Sequence, residues 1–318
     1  MLNASISWIA EHAGKGINSM SVRASIMSFV LKRTIKKQMS NLQDPAAMRG
    51  AAGGGMPGSR LPVDIRTETV ATESMRGEWV ISDDSASDAV MLYLHGGGYI
   101  FGSPDSHRDL VWRLAKASGL RVFVLDYRLA PEHPFPAAVD DALVAYQWLL
   151  DQGIAAQKIV VAGDSAGGGL ATALMVQTKT AGLPMPGQAV LISPWVDLSL
   201  SGESMALNAQ QDAMLSPQAL GKFAAYYLGD EDPKHPLASP LFADLTGLPP
   251  TFVMVGSNEV LCSDAQQLVA NINMAGGSAE ITIWNKMPHV FPLLSAIIPE
   301  GKQAIAEIAG FIRLHLDA

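Results

Sequence analysis

Apolar residues in this chain gather into short unbroken runs at 90–94, 122–125, 159–161, 189–192, 251–255 and 281–284. Runs of that length without polar alternation mark strands buried on both faces. Between most of them the spacing turns helical, most clearly over 137–150 and 166–178. Ile305, Ile308, Phe311 and Ile312 repeat at helical spacing and give a last helix its inward face. Strands alternating with helices predict an α/β fold, a mostly parallel sheet flanked by helices. Residues 67–81 are expected to add an antiparallel pair at one edge.

Two regions break this rhythm. Nearly sixty residues separate the strand ending near Ile192 from the one opening at Thr251, far more than a crossover needs. They hold a helix over 217–227 and turn signals at Asp232-Pro233, Pro236 and Ser239-Pro240. Residues 1–49 are helix-forming, with Val22, Ile26, Phe29 and Val30 on one face and Lys32, Arg33, Lys36 and Lys37 following. That basic group reads as a solvated helix end, where cations suit the dipole; a helix lying on a membrane surface is the alternative. The glycines of 50–59 make a connector and not a phosphate loop, since Gly-Lys-Ser/Thr is missing. The expected division is N-terminal cap helices and linker (1–59), a first catalytic part (60–197), a cap insertion (198–245) and a second catalytic part (246–318). The helical cap then covers the carboxyl ends of the strands. No internal repeat is visible.

With 318 residues, 48% of them hydrophobic, the chain can bury a substantial core. A formal charge of −8 and a pI near 5.3 argue against a nucleic-acid partner. The single cysteine, Cys262, cannot form an intrachain disulfide, which suits a reducing compartment. No uncharged apolar stretch is long enough for stable membrane insertion. Glu11, His12 and Lys15 interrupt the start before a signal-peptide core could form, so a cytoplasmic protein is expected. No His/Cys/Asp/Glu cluster has metal-ligand spacing, and the glycines of 163–169 lack dinucleotide-loop spacing. Neither a metal nor a cofactor is expected.

The candidate chemistry centres on Gly163-Asp164-Ser165-Ala166-Gly167, placed between an apolar run and a helical run. Gly-x-Ser-x-Gly in a strand–turn–helix setting is a nucleophile elbow, with the serine at a helix N-terminus. A serine hydroxyl still needs a base, an orienting acid and donors for the developing anion. The donors are expected at His95-Gly96-Gly97-Gly98-Tyr99, where successive glycines let backbone N–H groups approach a substrate. His95 is expected to fix that loop, and Asp164 to brace its neighbours. The base should come last in chain order, which selects His289, in a loop beyond the final strand. His107 and His133 precede the serine and are set aside. For the acid, the segment after the strand at 251–255 offers Glu259 and Asp264, the latter also suited to a charge at a helix N-terminus.

These motifs resemble the hormone-sensitive-lipase family of bacterial carboxylesterases, on the α/β-hydrolase fold. The likeness also rests on Tyr127-Arg128-Leu129-Ala130-Pro131-Glu132, Pro134-Phe135-Pro136, the stretch from Asp244-Leu245 to Pro249-Pro250, and Met287-Pro288-His289-Val290-Phe291. It covers roughly 65–316. By this resemblance, the oxyanion donors are the N–H groups of Gly97, Gly98 and Ala166, and copies of the chain could pair through the last strand as a homodimer. Many relatives carry an aspartate where this chain has Glu259. The implied function is hydrolysis of small-molecule short- to medium-chain acyl esters by a Ser165–His289–Glu259 triad. An amidase, a deacetylase or a long-chain lipase could use the same machinery. A receptor-like ligand binder on this fold would be expected to lack a triad member.

Overall fold

The computed structural model describes residues 20–41, 44–45, 49, 61–85 and 88–316; residues 1–19 and the connector of 50–59 lie outside them. Its strands are β1 (Ile65–Ala71), β2 (Arg76–Ser82), β3 (Val90–Leu94), β4 (Arg121–Leu125), β5 (Ile159–Asp164), β6 (Gln188–Ile192), β7 (Thr251–Gly256) and β8 (Ala279–Trp284). They form one sheet in the order β1-β2-β4-β3-β5-β6-β7-β8. The β1–β2 and β2–β4 pairs are antiparallel and every later neighbour is parallel. The antiparallel edge expected over 67–81 is the β1–β2 hairpin, registered Ile65 to Ser82 and Ala71 to Arg76.

The helices are α1 (Val22–Arg33), α2 (Ile35–Ser40), α3 (Pro104–Ser118), α4 (Ala137–Asp151), α5 (Ala166–Thr180), α6 (Glu203–Leu207), α7 (Pro217–Leu228), α8 (Cys262–Met274) and α9 (Pro299–Leu316). The central parallel strands are mostly apolar because alternate residues serve opposite layers. Leu92 and Leu94 of β3 join a core with Leu170 of α5 and Leu268 of α8. Met91 and Tyr93 join a second core with Leu114 of α3 and Ile308 of α9. The sheet is therefore covered on both sides, as the unbroken runs require.

The N-terminal helices differ from expectation in one respect. The stripe of Val22, Ile26, Phe29 and Val30 faces outward, and α1 packs through Ala24 and Leu31 instead. Ala24 lets the helix lie close to the body, Leu31 adds an apolar contact, and polar bonds hold it there. Ser21 donates from N and Oγ to Glu300 of α9 at 2.7 and 3.1 Å. Lys36 of α2 donates to the carbonyls of Ala209 and Asp212 at 2.7 and 2.8 Å, and Lys222 of α7 to that of Ser40 at 3.0 Å. Thus α2 is tied to the long interval between β6 and β7, where α6 and α7 lie.

Candidate active site

Strand β5 ends at Asp164 and α5 begins at Ala166, which leaves Ser165 alone in the bend at φ 54°, ψ −122°. A positive φ strains any residue with a Cβ and persists only where neighbours enforce it. Here Ser165 N–H donates to Ile192 O, and Ser165 O accepts from Trp195 N, both at 2.9 Å. The flanking small residues allow a close crossing. A Cβ at Gly167 would lie 2.0 Å from the carbonyl oxygen of Leu94. The N–H of Ala166 opens α5 and is one of the donors a helix leaves unpaired at its start.

Beside this bend, β3 runs into the glycine loop. Gly97 has φ 125°, where a Cβ would also meet Phe101 O at 2.0 Å, so only glycine fits. Asp164 holds the loop from beneath. Its Oδ1 accepts from Tyr93 Oη at 2.7 Å and from Gly96 N at 3.0 Å, and its Oδ2 faces His107 Nε2 at 3.3 Å. Burial would raise the Asp164 pKa, but the charge and hydrogen bond of His107, with the Tyr93 bond, hold it below the usual carboxylate range. Burial would likewise depress His107, and Asp164 reverses the shift upward. The two form a buried carboxylate–histidine pair. His95 behaves differently. Burial, then the nearby His107 charge, drives its pKa to about 3, so it is neutral. It stacks on Tyr127 at 4.2 Å, accepts Tyr127 Oη at its carbonyl at 2.7 Å, and places Nδ1 2.8 Å from Gly96 O.

His289 lies on the loop between β8 and α9, with Nδ1 2.7 Å from Glu259 Oε2. Glu259 is fully buried after β7; its Oε1 accepts from Ser193 Oγ at 2.8 Å and from Gly256 N at 2.5 Å. Ser193, at φ 48° just past β6, also accepts Val290 N–H at 3.2 Å, so one hydroxyl ties the Glu259 carboxylate to the backbone next to His289. Burial alone would depress the His289 pKa, but the hydrogen bond and charge of Glu259 turn it upward. Asp264 is elsewhere. Its Oδ2 accepts from Val196 N and Asp197 N at 3.2 and 3.1 Å, and its Oδ1 has no partner among the described residues. Burial and the Asp197 charge push its pKa well above the carboxylate range. It lies in the first turn of α8 as a helix-start charge would, yet it is buried and braces the segment after β6.

Ser165, His289, Gly97 and Gly98 line one cavity of about 110 Å³, closed by Met39 of α2, Met214 and Leu215, and Leu220 and Phe223 of α7. Among the described residues no hydrogen bond joins Ser165 Oγ to His289; such contacts often tighten only when substrate binds. The structure thus gathers Ser165, His289, Glu259 and the glycine loop, and leaves Asp264 apart. Sequence reasoning missed Ser193 and His107. Chain order set His107 aside as a base, and no spacing rule links it to Asp164. Among the described residues no group of three His, Cys, Asp or Glu is placed to hold a metal ion.

Fold and site together are those of an α/β hydrolase, and residues 91–293 match the family model described as alpha/beta hydrolase fold. Within that fold the chain belongs to the hormone-sensitive-lipase family and is a carboxylic ester hydrolase. It is 44% identical over 246 residues to an acetyl-hydrolase of Streptomyces hygroscopicus, covering 77% of this chain and 82% of that one. It is 39% identical over 248 residues to an esterase of Acinetobacter venetianus, covering 78% and 82%. A crystal structure of an esterase from the bacterial hormone-sensitive lipase family matches at TM-score 0.87 and 40% identity, over 94% of this chain and 100% of that one.

Proposed function

We propose that this esterase cleaves short- to medium-chain acyl esters through an acyl-enzyme on Ser165, His289 and Glu259. The observation that carries the reading is the 2.7 Å contact of His289 Nδ1 with buried Glu259, beside a serine on the same cavity wall. His289 Nε2 takes the Ser165 proton as Oγ attacks the ester carbonyl. Glu259 holds the ring and balances the imidazolium that results. The N–H groups of Gly97, Gly98 and Ala166 receive the oxyanion, and His289 returns the proton to the departing alcohol. Water then repeats the sequence on the acyl-enzyme. His95 and Asp164 set the glycine loop in place.

Residues 1–59 and 198–245 act as the cap, and 60–197 with 246–318 as the catalytic body; Met39 and Phe223 in the cavity wall support that division. The bulky wall of Met39, Leu220 and Phe223 around Ser165 favours short acyl groups over a long-chain lipase reading. The free edge of β8 is where two copies would pair. The test is hydrolysis of p-nitrophenyl esters from acetate to palmitate by the wild type and by Ser165→Ala. The expected result is a maximum at short chains and loss of turnover in the folded variant. Turnover that persists without the Ser165 hydroxyl would refute the mechanism.

A further inference from the structure

Among the described residues, the apolar stripe of α1 faces away from the body of the protein. Val22, Ile26, Phe29 and Val30 recur at i, i+4, i+7 and i+8 and are 75, 59, 55 and 44% exposed, on the side opposite Ala24 and Leu31. Contiguous exposed apolar residues on one helix face mark an interaction surface. The charges around this one share a sign. Arg23 lies on one flank and Lys32 on the other, and Arg33 closes the end with its guanidinium 4.0 Å over the Phe29 ring. Lys36 and Lys37 follow on α2, and residues 22–40 hold no Asp or Glu although the whole chain carries −8. Lys32 and Lys36 reach back to carbonyls of residues 209, 210 and 212, fixing the segment on the body. Arg23, Arg33 and Lys37 stay exposed.

An apolar face bordered by cations is the make-up of a helix lying in the headgroup region of a bilayer. We infer that α1 docks this protein peripherally on an anionic phospholipid surface, with the stripe among the upper acyl chains and Arg23, Arg33 and Lys37 against headgroup phosphates. Apolar contact and charge act together, because neither four side chains nor three cations suffice alone for stable attachment. Helix α1 leads directly into α2, whose Met39 lines the cavity. Docking therefore brings the cap beside the layer in which apolar esters dissolve. The inference does not depend on the proposed catalytic mechanism, since binding is read without turnover.

The test is co-sedimentation of the full chain with vesicles of phosphatidylcholine alone or with about one third phosphatidylglycerol. Partitioning should be roughly tenfold or more stronger on the anionic vesicles and should weaken as salt rises from about 0.1 to about 0.5 M. Ile26→Ser with Phe29→Ser, and separately Arg23→Gln with Arg33→Gln, should each lower it by about tenfold or more. Both variants should keep the wild-type Tm and the wild-type turnover of soluble p-nitrophenyl acetate. Absence of vesicle binding by the wild type, or binding equal in all three proteins, overturns the inference. So does a Tm several degrees lower in the apolar variant, which would mean that the chain itself covers the stripe. A smaller oligomer in that variant would assign the stripe to a second copy and also overturns it.

Discussion

Glu259 shows how a single carboxylate can be held by groups that sequence does not connect. Its oxygens are shared among His289, Ser193 and the Gly256 N–H. In Glu259→Gln the shape remains but the charge facing the imidazolium is gone, so turnover of a short ester should fall by about 10⁴-fold. The pH profile should move as well. Wild-type kcat/KM should fall on the acid side at a pH above 6.5, because the net shift of His289 is upward. In the glutamine variant the depressing effect of burial is opposed only by the weaker charges of Asp212 and Asp164, and that limb should move down. A limb that stays in place would mean that Glu259 does not govern His289. Ser193→Ala leaves Val290 N–H unpaired and Glu259 Oε1 with one donor. A stability loss of about 1–3 kcal/mol in urea unfolding is expected, with lower kcat and little change in KM. Asp264→Asn keeps a neutral acceptor for Val196 and Asp197, so activity and stability should both survive. At this scale Ser165, His289 and the glycine loop were legible because each is tied to a motif and a chain order. Ser193 was not, because its partners are 66 and 97 residues away.

Among the elements, the buried strands were the clearest in advance, since a fully covered strand must be apolar at every position and β3 is so from Val90 to Leu94. The helix α3 gave no such signal. Its capping box, Ser103 with Ser106, uses a serine in place of the usual Glu or Gln at the third helical position. For α1 the periodicity found the stripe but not its direction, because inward packing through Ala24 and Leu31 leaves almost no hydrophobic pattern. The element expected to bear most directly on substrate choice is α7, which lends Leu220 and Phe223 to the cavity wall. Phe223 is buried in the cavity wall, edge-on to Phe101 at 6.0 Å between ring centroids. Phe223→Ala should deepen the cavity and move the preferred acyl chain toward hexanoate or octanoate, at a cost of about 3–5 kcal/mol in stability. The ratio of kcat/KM for octanoate to that for acetate measures it, and an unchanged ratio would exclude Phe223 from acyl selection.

For the whole molecule, buried titrating groups link folding to pH. His107 and His289 hold their protons more tightly folded than unfolded, where an imidazole titrates near 6.5. Their contribution is complete below that pH and is lost as pH rises through the folded values. Asp264, its proton held well above the carboxylate range, adds a loss in the same direction. His95 works the opposite way, its neutral folded form favouring stability as pH climbs from about 3 toward 6.5. Thermal unfolding should therefore show Tm declining from near neutrality to alkaline pH, with a shallower decline in His107→Gln. An equally steep decline in that variant would remove His107 from the account. None of this was visible in composition, which fixes net charge but not which histidines are buried beside a carboxylate. Asp164, Ser165 and Ala166 are consecutive, so the anchor of the glycine loop, the proposed nucleophile and one proposed anion donor are spaced by covalent geometry. Motion of the cap can change which esters enter without altering that spacing, and this leaves the cap free to diverge in sequence while the reaction stays the same.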